Sequence, residues 1–164
     1  MSALLAKAVG MTLAKHPIMN AAYVEDGIKY NENIDIAMAV ALPEGGLVTP
    51  KMVAADSKDL YSLSREWKDL VGRTMEGKLK PSEMGGTFTI SNLGMMGVDS
   101  FVSILPPGQG AILAVAASQP TATLMPNGMM GFVKKMTVTL TCDHRHIYGA
   151  PPPPPFRHKL RAAS

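Results

Sequence analysis

With 164 residues, 46% of them hydrophobic and 18% charged, the chain is large enough for one globular domain with a modest core and too short for two. Its net charge of +3 comes from the tail: without Arg157, Lys159 and Arg161, 13 basic residues face 13 acidic ones, which argues against a nucleic-acid surface, whose affinity needs a basic face. One cysteine excludes an internal disulfide framework and fits a reducing compartment, and no apolar run nears the roughly 20 residues that span a bilayer.

The opening stretch "MSALLAKAVGMTLAKHP" carries Leu4, Leu5, Ala8, Val9, Met11, Thr12 and Leu13 around much of a helical surface, and Pro17 stops it. It reads as a core helix and not as a transit peptide, because no small-residue cleavage pattern or Arg/Ser-rich flank accompanies it. Glu25-Asp26-Gly27 predicts a hairpin turn. Ile34, Ile36, Met38 and Val40 then alternate with Ala37, Ala39 and Ala41, the pattern of a strand with a small second face. "PEGGLVTPKM" reads as a turn and a short strand ended by Pro50.

Leu60, Leu63, Trp67, Leu70 and Val71 recur at helical spacing, with Asp56 or Ser57 as the expected cap and Gly77 and Pro81 as the stop. From Gly85 the texture becomes β. Phe88 and Ile90 alternate with Thr87, Thr89 and Ser91 before a break at Asn92-Leu93-Gly94. A Pro-Gly turn then leads into the all-apolar "AILAVAAS", a strand buried on both faces. In the last strand Met136, Val138, Leu140 and Cys142 share one face, and Cys142 reads as a core filler with nothing to lower its thiol pKa. Helices first and strands together afterwards predict an α+β domain with a mixed sheet packed against helices.

The stretch "TCDHRHIYGA" (141–150) concentrates chemistry at the end of that strand. A metal site is not expected, because Asp143, His144 and His146 lack a second cluster at zinc-like spacing. By position alone a solvated or hydrogen-bonded histidine is the simplest reading. The glycines at 94, 97, 108 and 110 lack the strand-glycine-helix order of a phosphate loop and read as turn and close-packing positions.

Four stretches together carry a family resemblance: "HPIMNAAY", "NIDIAMAVALPEGGLVTP", "GGTFTISNLGMMGVDSFVSILPPGQGAILAVAASQP" and "MTVTLTCDHRHIYGA". The chain resembles the catalytic domain of dihydrolipoamide acyltransferases, and most of all the acetyltransferase component of pyruvate dehydrogenase complexes of plastids and cyanobacteria. The likeness covers residues 1–150. It implies a chloramphenicol-acetyltransferase-like fold, incomplete at the N- and C-terminus, a homotrimer that builds a larger core, and an active site between subunits that coenzyme A and the lipoyl group enter from opposite ends. It also implies a lipoyl group carried on a separate domain, pyruvate dehydrogenase and dihydrolipoamide dehydrogenase as partner components, no membrane association, and the chloroplast stroma or a cyanobacterial cytoplasm as the compartment.

The family's His-x-x-x-Asp-Gly signature falls on His144 to Gly149, so the likeness implies His144 as general base. A histidine imidazole, with an ordinary pKa of about 6.5, can take a thiol proton near neutral pH. The likeness likewise implies Ser91 as the oxyanion-stabilising hydroxyl, with Asn92 and Gly94 shaping the substrate-side turn beside it and Arg145 also at the substrate site. Tyr148 stands where the signature has aspartate; it can donate a hydrogen bond but brings no charge. Residues 151–164, "PPPPPFRHKLRAAS", read as a disordered basic tail, since proline cannot sustain the helix that continues the family domain. The resulting expectation is an acetyltransferase domain, the competing one a catalytically silent structural or binding remnant of it.

Overall fold

The computed structural model describes residues 1–149; the expected tail lies outside them. Helix α1 (Ser2–Lys15) ends where Pro17 opens a 3-10 turn. Strands β1 (Ala21–Val24) and β2 (Gly27–Tyr30) form the expected hairpin about Glu25-Asp26. Strand β3 (Ile36–Met38) follows, then a small hairpin of β4 (Val40–Ala41) and β5 (Leu47–Val48), and β6 (Lys51–Met52). Helix α2 spans Leu60–Met75, and β7 (Phe88–Asn92), β8 (Ala111–Leu124) and β9 (Met130–Cys142) complete the described chain.

The main sheet has the order β6-β3-β7-β8-β9. Its centre is parallel, β3 with β7 and β7 with β8, and both flanks are antiparallel. The architecture is thus α+β with a mixed sheet and two helices, as the order of elements predicts. Parallel strands need long crossovers that cover the sheet, and the burial follows: Ile36, Ala37, Phe88, Thr89, Ile90 and Ala111 are all closed to solvent. The alternation of β3 therefore marks two buried faces, the small one packed as closely as the large one.

Helix α1 meets the sheet through Ala3, Ala6 and Leu13, while Leu4 and Met11 stay exposed. Gly10 lets its backbone approach the segment before α2; a Cβ there would lie 2.8 Å from the Asp56 amide nitrogen. The Lys7 ammonium donates to the Asp56 and Lys58 carbonyls at 2.6 and 2.7 Å, fastening the same contact. The α2 cap is Asp59, whose carboxylate accepts from the Ser62 amide at 2.9 Å, and not Asp56 or Ser57. The Ala54 carbonyl takes the Ser57 and Lys58 amides, so the chain turns once more before the helix begins. Leu63 and Leu70 are the buried points of its stripe, with Trp67 packed beside them.

Beyond Val115 the register of β8 against β9 shifts, and the Ala117 amide donates to the Val98 carbonyl instead. From there β8 and β9 run on as a two-stranded arm. Pro120, opposite Lys134, is tolerated because no strand lies on its other side. The apolar face of β9 is half open: Met136, Val138 and Leu140 remain exposed, while Cys142, the expected core filler, alone among them packs against the core cluster. β9 is an edge strand, and no helix of the described residues covers its outer part.

Candidate active site

Cys142, the last residue of β9, pairs with Ala111, and the chain then bends. The Asp143 amide donates to the Gly110 carbonyl at 2.8 Å, and the Asp143 carbonyl accepts from the His146 and Ile147 amides at 3.2 and 3.0 Å. This tight turn sorts its side chains. His146 and Ile147 point inward and are buried, whereas His144, Arg145 and Tyr148 face outward. The His144 and Tyr148 rings meet edge to face with centroids 5.3 Å apart, and the Tyr148 hydroxyl donates to the Arg145 carbonyl at 3.1 Å. Tyr148 thus closes the turn by a neutral hydrogen bond.

Arg145 returns to Asp143 through a forked contact, Nε to Oδ1 at 2.9 Å and Nη2 to Oδ2 at 2.6 Å. Bidentate pairing of this kind fixes orientation as well as charge. The guanidinium holds the Asp143 carboxyl down at a pKa of about 2, and burial only partly opposes it. The same guanidinium lies 4.3 Å over the Tyr23 ring of β1, so the turn is bound to the first hairpin as well as to β8.

Gly110 is the pivot. A Cβ on it would fall 2.2 Å from the Ala21 carbonyl oxygen and 2.8 Å from His146 Nε2, so only glycine lets β1, β8 and the turn converge. Its neighbour Gln109 is anchored by the Thr89 hydroxyl, which donates to its Oε1 at 2.7 Å, and by its own Nε2 on the Gly86 carbonyl at 2.9 Å. The second face of β7 is therefore a buried polar brace for the turn that carries His144.

Ser91 lies near the C-terminal end of β7, half-buried, opposite Ala114. Asn92 Oδ1 accepts the Gly94 amide at 2.9 Å and the Leu93 amide donates to the Val115 carbonyl at 3.1 Å. These bonds bend the chain away from the sheet into a 3-10 turn over Gly94–Met96, with Met95 fully and Met96 largely in solvent.

The sheet register separates the two expected reacting groups. Ser91 is level with Ala114, and His144 lies two residues beyond the partner of Ala111. Three residues of strand rise and two strand spacings already separate Ser91 from Cys142 by about 14 Å, and His144 lies beyond Cys142 on the turn. Asn92 and Gly94 belong to the Ser91 end, Arg145 and Tyr148 to the His144 end.

Sequence reasoning did not find Asp143, Tyr23 or Gly110 as parts of the His144 setting. The first carried a local signal, an acid two residues before a guanidinium; the other two are contacts across the fold. Among the described residues no group of three His, Cys, Asp or Glu side chains could hold a metal ion.

Residues 1–152 match the catalytic domain of the 2-oxoacid dehydrogenase acyltransferases. The dihydrolipoyllysine-residue acetyltransferase component 4 of the chloroplastic pyruvate dehydrogenase complex of Arabidopsis thaliana is 54% identical over 153 residues, 92% of this chain and 32% of that one. The chain thus spans about a third of the length of such relatives. A probable dihydrolipoamide acetyltransferase from Listeria monocytogenes superposes with a TM-score of 0.83 at 32% identity, over 90% of this chain and 62% of that one. The dihydrolipoamide acetyltransferase of Azotobacter vinelandii gives 0.83 at 29%, over 90% and 61%; its structure accompanies enzymatic work on the role of a serine, a histidine and an asparagine in the catalytic mechanism.

Proposed function

The chain belongs to the 2-oxoacid dehydrogenase acyltransferase family, by its catalytic domain, and from that premise we propose that it transfers an acetyl group between a dihydrolipoyl thiol and coenzyme A, at a site shared by two copies. The observation that carries this reading is the separation of Ser91 from His144. Each is accessible, Ser91 near the end of β7 and His144 on a braced turn, yet one copy holds them well apart across its sheet. Two copies in a cyclic arrangement can set the His144 end of one against the Ser91 end of the next.

At such a site His144 takes the proton of the attacking thiol, and the thiolate adds to the thioester carbonyl. The Ser91 hydroxyl donates to the oxygen that gains the charge. The carbon–sulfur bond to the departing group then breaks, and that thiolate recovers the proton from His144. One thioester replaces another, so alignment and charge stabilisation supply the acceleration. Tyr148 fills the place of the signature aspartate as a neutral clamp on the turn. Asn92, Gly94 and Arg145 line the substrate approaches.

The same reading takes residues 1–150 as part of a chloramphenicol-acetyltransferase-like domain in a homotrimer, itself part of a larger core. It places the lipoyl group on a separate domain, pyruvate dehydrogenase and dihydrolipoamide dehydrogenase as partner components, and the plastid stroma as the compartment. The superposition on solved acetyltransferases and the identity to chloroplastic relatives support it.

The test is acetyl transfer from acetyl-coenzyme A to dihydrolipoamide by the purified chain. Ser91→Ala should lower the rate by about 10²–10³, and His144→Ala should abolish it. Co-refolding the two inactive variants should restore about a quarter of wild-type activity, because each shared site draws its histidine and its serine from different copies. Transfer absent from the folded wild-type chain would make it a silent remnant of the domain; no recovery on mixing would return the site to a single copy.

A further inference from the structure

His146 has no role in the chemistry above, yet it is the most confined polar group of the turn. Its residue is 4% exposed, and neither ring nitrogen finds a hydrogen-bond partner. Nδ1 lies 4.0 Å from Asp143 Oδ2. On the other side, Nε2 and the Ala21 carbonyl oxygen both crowd the spot that a Gly110 Cβ would occupy. The ring is thus set between two acceptors and sealed from water.

A neutral imidazole carries one N–H, so whichever tautomer forms, one nitrogen lone pair faces an acceptor. An imidazolium would offer a donor to each side, but in a closed site its charge must be desolvated. The charged groups acting on the ring are Asp143, which favours the proton, and Arg145, which opposes it and occupies Asp143 with its fork. From β1 the ring meets the Ala21 carbonyl, which also favours the proton, and from the segment before β8 it meets Gly110; neither titrates.

We propose that His146 is a positioning residue for His144: neutral, it seats the 143–148 turn against β1 and β8, and proton uptake by its ring unseats that turn and withdraws His144 from service.

Burial, the larger influence, pushes the His146 pKa below its usual value. The sign follows from linkage. A ring that binds its proton more weakly when seated than when released makes the seated state lose ground as pH falls below about 6.5. The same turn carries His144 on its outer side, so the event reaches the reacting group with no change elsewhere in the sheet.

The clause that concerns His144 rests on the acetyl-transfer reading; the movement of the turn does not, and the experiment separates them. Amide hydrogen exchange over residues 143–149 of the full chain, corrected for the intrinsic pH dependence, should quicken by about tenfold per pH unit below pH 6.5 in the wild type, the mark of one linked proton. In His146→Val that quickening should vanish. His146→Gln, polar but unable to titrate in this range, should lose it as well, and it serves if the valine variant fails to fold. Acetyl transfer should fall more steeply with acid in the wild type than in either variant. Exchange that quickens equally in wild type and variants, or not at all in the wild type, overturns the proposal. Exchange that behaves as expected in a chain without transfer activity upholds the moving turn and rejects the acetyl-transfer reading.

Discussion

Along β8, residues Ala111 to Ala117 are closed to solvent apart from Leu113, whereas Ser118 to Leu124 are open or half-open throughout. The inner half lies between β7 and β9 under helices; the outer half has only β9 beside it. The inner half, AILAVAA, is apolar throughout; the outer half, SQPTATL, sets Gln119, Thr121 and Thr123 on one face and Pro120, Ala122 and Leu124 on the other, with Met130 and Phe132 opposite on β9 and Phe132 78% exposed. Contiguous exposed apolar faces are where interaction surfaces tend to be found. The difference teaches that apolar content chooses which residues want cover, while topology decides whether the same chain supplies it. The inner half is covered by its own chain, and the apolar face of the outer half stays open to solvent.

The sharpest way to break the inner region is Gly110→Ala. No side chain can yield to relieve a Cβ 2.2 Å from a backbone oxygen, so the variant should lose the native transition or unfold tens of degrees lower in a thermal melt. Next comes Ile90→Ala, at a fully buried site, with an expected loss of about 2–5 kcal/mol in urea unfolding. Phe132→Lys on the arm should change the stability of the isolated chain by no more than about 0.5 kcal/mol, yet weaken self-association in sedimentation. Equal destabilisation by Ile90→Ala and Phe132→Lys would erase the distinction between the halves.

The smallest effect concerns acid. Asp143, held near a pKa of about 2 by Arg145, contributes stability that is complete above its ordinary value of about 3.9 and is lost as pH falls toward 2. In Asp143→Asn the decline of stability between those values should be shallower than in the wild type, as read from urea midpoints.

Much of the fold is legible in the residues. The alternation of Ile34 to Val40, the turn at Glu25-Asp26-Gly27 and the unbroken apolar run from Ala111 each name their element, because strand period and burial are local properties of a sequence. The two residues of β6 carry no period, and their pairing with β3 was invisible. The α2 cap moved to Asp59 because an extra turn at Ala54 cannot be told from a helix start by composition. The alternation of β9 reveals an apolar face and not its cover.

The site was less legible. His144 and Ser91 emerge from a family likeness, since a histidine after a strand and a serine at a strand end are commonplace by themselves. His146 drew attention only as a metal ligand without partners, and its confinement depends on Gly110 and Ala21, which sit far away in sequence.

The pairing of β3 with β7 joins Ile36 to Phe88, and everything between them must be threaded through before it forms. The β8 and β9 strands, by contrast, are joined by a short turn at Pro126-Asn127-Gly128. Closure of long loops is slow and hairpins form in microseconds. A refolding chain is therefore expected to sample its hairpin arm before its parallel centre is assembled. Refolding yield should depend on protein concentration through that arm, with crowded chains adhering at their unfinished ribbons.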